Sequence, residues 1–101
     1  MRTQLEPITP GEILQEEFMN PIHLSQNKLA RDIDVPVARI NDIIHGKRSI
    51  TPDTAFRLAI YFGTTPEFWL NLQVRFDIKK IEKTSAFELK KKIRKIQAQA
   101  V

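Results

Sequence analysis

The chain contains no cysteine. That excludes disulfides and thiolate metal sites, and it fits a reducing cytoplasm. Glycine is almost as scarce, with three in 101 residues, and no stretch alternates apolar and polar residues as a half-buried strand would. The expectation is an all-α chain. No apolar run approaches the ~20 residues that span a bilayer. The start also lacks the charged-then-apolar order of a secretory signal, so the reading is cytoplasmic, with no membrane partner. The length suits one domain with a single modest core.

Chemistry-bearing clusters are equally thin. His23 and His45 are the only histidines, and neither has a metal-ligand companion at helical spacing. There is no glycine-rich phosphate loop and no nucleophile signature. Glu12, Glu16 and Glu17 gather on the first predicted helix, mostly in its opening turns, where the helix dipole favours carboxylates in any case. The chain is therefore read as a non-enzyme with no metal and no cofactor.

Charge is present but unevenly placed. The formal net charge is +4 and the pI about 9.6, yet the residues through Ile78 carry a net of −2 and those from Lys79 onward a net of +6. The overall pI is thus weak support for a nucleic-acid partner. The local cluster of Arg39, Lys47 and Arg48 is better support.

That cluster closes the most informative stretch, LSQNKLARDIDVPVARINDIIHGKR at residues 24–48. Leu29, Ala30 and Ile33 fall on one face of a first helix, Val35 sits in a turn, and Ile40, Ile43 and Ile44 line one face of a second. Ala30 is small enough for two helices to cross closely over a short connector. Pro36 suits the first position of the second helix. Asp34 stands where such connectors often carry Gly, and Asp tolerates left-handed backbone. The pattern is a helix-turn-helix, and it points to DNA.

Capping signals delimit the other helices. Thr9-Pro10-Gly11-Glu12 opens a helix from Pro10 to about Met19, ended by Pro21; Ser25 caps the next, with Leu24 and Leu29 as a hydrophobic staple. The second helix of the pair runs from Pro36 to His45 and stops at Gly46. A fourth starts at Thr51-Pro52, buries Ala55, Leu58, Ala59 and Phe62, and stops at Gly63. Thr65-Pro66-Glu67 opens a fifth carrying Phe68, Trp69, Leu72 and Phe76. Ser85-Ala86-Phe87-Glu88 has capping-box form, and Ala86, Leu89, Ile93, Ile96 and Ala100 follow at helical spacing among Lys90, Lys91, Lys92, Arg94 and Lys95. This segment reads as a solvated amphipathic helix, a dimer-forming or partner-binding helix or, with its thin apolar stripe, a membrane-surface helix. Residues 1–8 read as a flexible arm, 9–83 as the helix-turn-helix domain and 84–101 as a basic amphipathic helix or tail.

With the isoleucines turned inward, Val37, Ala38, Arg39, Asn41 and Asp42 are left on outward or flanking positions. Arg39 suits guanine O6 and N7, Asn41 suits adenine or phosphate, and Val37 and Ala38 suit a thymine methyl group. Asp42 repels phosphate, but it can accept from cytosine N4 or orient Arg39. Ser25 and Gln26, at a helix N-terminus, and Lys47 and Arg48, in the following loop, are the backbone candidates.

The segment resembles the phage-repressor-like (XRE) family. ITPGEILQEEF at 8–18, GKRSITPDTAFRLAIYFGTTPEFWLNLQ at 46–73 and the RFDIKK that follows narrow the resemblance to HigA-type antitoxins, also known as virulence-associated protein I. It covers roughly residues 7–80, and the tail beyond Lys83 falls outside it. It implies an all-α, lambda-repressor-like domain of five or six helices in a bacterial antitoxin. Such a protein would bind a HigB-like toxin of the RelE superfamily, a ribosome-dependent mRNA endonuclease. It would also repress its own operon as a homodimer on palindromic operator DNA. It places Arg39 and Asn41 at base-reading positions, Gln26 and Lys47 at backbone positions, and Trp69 and Leu72 in the core or dimer interface, with Phe76 beside them. Because such toxins bind RNA and should be basic, Glu12, Glu16 and Glu17 are the candidate toxin-facing residues. A stand-alone regulator without a toxin, or an interaction module that has lost DNA binding, are the other expectations.

Overall fold

The computed structural model describes residues 7–97. Most of the predicted arm, Glu6 included, and Ala100 of the tail lie outside the described residues. Six helices and no strand are found among them. Helix α1 starts at Pro10–Ile13, where Thr9 and Glu12 exchange the two capping-box bonds: Glu12 N donates to Thr9 Oγ1 at 3.1 Å and Thr9 N to Glu12 Oε1 at 3.3 Å. It then widens into a π-helix over Leu14–Met19 and tightens to a 3₁₀ turn over Asn20–Ile22. Pro21 does not end it as expected. A proline near the start of a new 3₁₀ turn costs no bond, and the chain leaves at His23, whose φ is 53°.

Helices α2 (Gln26–Asp32) and α3 (Val37–Ile44) form the helix-turn-helix. Ser25 Oγ accepts from Lys28 N at 3.1 Å, and Leu24 and Leu29 are both buried, as the staple requires. Asp34 takes the left-handed conformation at φ 59°, which makes the turn sharp. Pro36 is the cap of α3 rather than its first residue, with extended backbone at φ −61°, ψ 142°. Helix α4 (Pro52–Phe62) ends at Gly63, φ 72°, and α5 (Pro66–Thr84) begins where Thr65 Oγ1 accepts from Phe68 N.

The core is built from Leu14, Leu29, Ile40, Ile43, Ala55, Leu58 and Trp69, all nearly or wholly inaccessible. Each large aliphatic side chain buried this way stabilises by roughly 1.5–3 kcal/mol. Phe18 joins α1 to the α4–α5 corner: its ring lies 4.8 Å from Trp69, 5.1 Å from Phe62 and 5.7 Å from Phe68. Phe62 is half-buried rather than buried.

Ala30 is buried in α2, and a further close approach lies at Gly11. A methyl group there would overlap the Ile43 carbonyl oxygen and lie 2.7 Å from Ile44 Cα. Helix α1 therefore seats directly on the C-terminal turn of α3, and only glycine permits it.

The capping box expected at Ser85 does not form. Ser85 ends α5 and precedes α6 (Ala86–Lys92) at once, its backbone is not extended (ψ −9°), and its Oγ lies 3.1 Å from Thr84 Oγ1. Nor does the helix run on through the apolar repeat. At Ile93 the backbone turns extended, and Ile93 and Ile96 are 66% and 87% exposed, with no core to hold them.

Candidate nucleic-acid interface

The N-terminal half of α3 lies against the N-terminus of α2. Ser25, Gln26, Asn27, Val37, Ala38 and Asn41 line one shallow depression, so the structure brings two predicted backbone residues together with three predicted base readers. Asn41 Nδ2 donates to Gln26 Oε1 at 3.1 Å, which fixes both amides across the helix pair. Val37, Ala38 and Asn41 are exposed and Gln26 half-buried. Ser25 is engaged as a cap, while its helix end still presents free N–H groups outward.

Arg39 leaves this depression on the other side. Its Nη1 donates to Asp53 Oδ2 at 2.8 Å, and the side chain is 26% exposed. Asp53, on the first turn of α4, also accepts from Arg57 Nε at 3.0 Å. Arg57 in turn donates through Nη1 to the carbonyls of Ile33 (2.7 Å) and Asp34 (3.1 Å). These are the orphan carbonyls at the end of α2 and in the left-handed turn. A continuous chain of hydrogen bonds thus joins the turn to Arg57, Asp53 and the guanidinium of Arg39. The bonds from Arg57 and then Arg39 hold the Asp53 carboxyl below the usual carboxylate range. Asp42, for which orienting Arg39 is one of two possible roles, faces Arg48 at 4.0 Å instead.

A second brace links α2 to α4. Tyr61 Oη donates to Asp32 Oδ2 at 2.7 Å, and Lys28 Nζ bonds the same oxygen at 3.0 Å. The bonds from Tyr61 and then Lys28 lower the Asp32 carboxyl, and the bond to Asp32 raises the Tyr61 hydroxyl.

Beyond α3, Gly46 (φ 74°) turns the chain out, and Lys47 and Arg48 are exposed in the loop. The loop is tied to α5 by Gln73, whose Oε1 accepts from Ile50 N at 2.8 Å. Sequence reasoning does not single out Arg57, Asp53 or Gln73. The spacing of Asp53 and Arg57, four residues apart on one helix, is the signal that could have found the first two; nothing local marks Gln73.

Trp69 is wholly buried, its Nε1 donating to Thr64 Oγ1 at 2.8 Å. It is a core residue and presents nothing to a partner chain. Leu72 and Phe76 are half-buried beside a groove that also includes Ile8 and Ile13. Glu16 and Glu17 are exposed on the π segment, while Glu12 is half-buried in the capping box. No helix among the described residues is long and apolar enough to cross a membrane.

A crossed helix pair with an amide-bearing, outward N-terminal half defines a DNA-binding helix-turn-helix domain. The helix-turn-helix family profile matches residues 16–69, and the chain belongs to the XRE-type branch of that family. Within it, the chain is 44% identical over 81 residues to virulence-associated protein I of Dichelobacter nodosus, covering 80% of this chain and 75% of the relative. An addiction-module antidote protein of the HigA family from Coxiella burnetii superposes with a TM-score of 0.84 at 49% identity, covering 90% of this chain and 99% of that one. The Pseudomonas aeruginosa antitoxin HigA, solved with the higBA promoter, superposes with a TM-score of 0.86 at 35% identity, over 91% of this chain and all of that one (100%).

Proposed function

We propose that the protein is the antitoxin of a type II toxin–antitoxin module. It represses its own operon by binding palindromic operator DNA as a homodimer, and it neutralises a RelE-like, HigB-like toxin. The observation that carries the DNA-binding part is the arrangement at the start of α3: Asn41 braced by Gln26 at 3.1 Å and Arg39 braced by Asp53 at 2.8 Å. Side chains held in one rotamer lose little entropy when they meet a base edge. In this reading Arg39 and Asn41, with Val37 and Ala38, meet bases. Ser25, Gln26, Lys47 and Arg48 meet phosphates, which fix register.

A single α3 covers too few base pairs to select one site, so two copies bind half-sites one turn apart, ~34–36 Å. Leu72 and Phe76, four residues apart on one face of α5, supply the contact between copies. The toxin meets the acidic side of α1 at Glu12, Glu16 and Glu17, because an RNA-binding toxin is basic and complementary charge speeds its association.

Co-expression with the neighbouring reading frame, followed by purification and a mobility shift on the protein's own promoter, tests the whole reading. The expected result is a stable two-protein complex that shifts that promoter. A promoter shift with no co-purifying partner would make the protein a stand-alone regulator, and no shift with a bound partner would remove the repressor role.

A further inference from the structure

Past Gln73, α5 leaves the core. Lys79, Lys80 and Lys83 are exposed and lack a carboxylate partner among the described residues. At these spacings the three share one side of the helix. Lys80 lines a cleft with Gly46, Lys47, Arg48, Ser49 and Asp77. Three cations surround it. Asp77 Oδ1 is engaged by Gln73 Nε2 at 3.0 Å, and Arg48 has Asp42 only at 4.0 Å. Because Gln73 also bonds Ile50 N, α5 is fastened to the loop that carries Lys47 and Arg48. The cationic surface of that loop therefore runs on to α5. Helix α6 adds Lys90, Lys91 and Lys92, and Arg94 and Lys95 follow; Lys91 has Glu88 at 3.9 Å and the Phe87 ring at 4.9 Å.

We propose that the distal half of α5 together with α6 is a second DNA-backbone contact, a cationic arm that continues the phosphate line of the α3–α4 loop onto the duplex flanking each half-site. The proposal rests on the DNA-binding reading of α3. Lys79, Lys80 and Lys83 lie on the last turns of α5 and Lys90, Lys91 and Lys92 on α6, while duplex DNA offers a phosphate every ~1.7 Å of axis. A polyanion of regular repeat fits cations carried on two successive helical segments. A lipid surface fits less well, since Phe87, Ile93 and Ile96 share no single helical face once the helix ends at Lys92. The division of charge follows the same boundary: a body of net −2 through Ile78 and an arm of net +6 beyond it.

The test is fluorescence anisotropy of the full chain over a salt series, on a long duplex from directly upstream of its reading frame and on a scrambled duplex of the same length. Two variants, Lys80→Gln/Lys83→Gln and Lys90→Gln/Lys91→Gln/Lys92→Gln, are compared with Arg39→Ala. All five lysines are exposed, and circular dichroism melts check that folding is unchanged. The log K against log salt slope should fall by about 0.9 for each phosphate no longer neutralised, equally on both duplexes, and the ratio of specific to scrambled binding should not move. Trimming the duplex to its two half-sites should erase the difference. Slopes that superimpose on wild type while Arg39→Ala still lowers specificity would overturn the arm and leave the α3 reading intact. No binding by wild type at any salt would overturn both. A defect confined to phosphatidylserine vesicles would overturn the DNA arm and make it a membrane contact.

Discussion

The two ends of α3 are built differently. At its start Asn41 is braced by Gln26, and Arg39 by Asp53, which Arg57 ties to the turn carbonyls. At its end Gly46 releases the chain into a loop where, among the described residues, Lys47 has no side-chain partner and Arg48 only a 4.0 Å approach to Asp42. Rigid donors suit base edges, which demand direction. Mobile cations suit phosphates, which demand mainly charge. In the proposed reading the difference puts specificity at one end and affinity at the other.

The largest expected effect tests whether the two ends are rigidly joined. Gly11→Ala forces α1 off the Ile43 carbonyl, at a cost on the order of 3 kcal/mol, and it should lower both the melting temperature and all DNA binding. An unchanged thermal melt would mean that α1 yields and does not set the position of α3. Next, Arg39→Ala should weaken operator binding by ~1–3 kcal/mol and relax preference at one base pair per half-site. Binding curves on single-base operator variants read this directly, and equal losses on operator and scrambled DNA would break the comparison.

Asp53→Ala sharpens it. Freed from its brace, Arg39 should lose selectivity at the same base pair while binding to scrambled DNA tightens, by up to about fivefold for an exposed pair. Lys47→Ala, the smallest effect on DNA, should lower all affinities alike and reduce the salt slope by about 0.9. The braces also make a pH prediction. Asp53 and Asp32 are held below the usual carboxylate value, so what they contribute to stability is complete above the unfolded-state pKa of ~3.9 and is lost as pH falls through their lowered folded values. Carboxyl carbon NMR titration should place both midpoints below the ordinary aspartate value.

What the sequence disclosed was local. The caps at Thr9, Ser25 and Thr65, the left-handed Asp34 and the stop at Gly63 each depend on residues within a few positions, and each is found in place. The seat of Gly11 on Ile43, the grip of Arg57 on Ile33 and the bond from Ile50 to Gln73 join residues more than twenty positions apart. No window of sequence contains both partners. The π turn over Leu14–Met19 escapes because its apolar spacing also satisfies an ordinary helix. The capping pattern at Ser85 misleads because its serine is already occupied as the end of α5.

Trp69 gives the molecule its own reporter. It is the sole tryptophan of the chain and wholly enclosed; its indole N–H donates to Thr64 Oγ1, and the Phe18 ring packs 4.8 Å from it, centroid to centroid. Its fluorescence therefore follows the integrity of the core rather than events at α3 or the arm. A substitution that abolishes DNA binding yet leaves the emission maximum in place has acted at the interface alone. One that shifts the emission to the red has let water reach the indole and has undone the fold. Failed recognition and failed folding can thus be separated in a single cuvette, without a label.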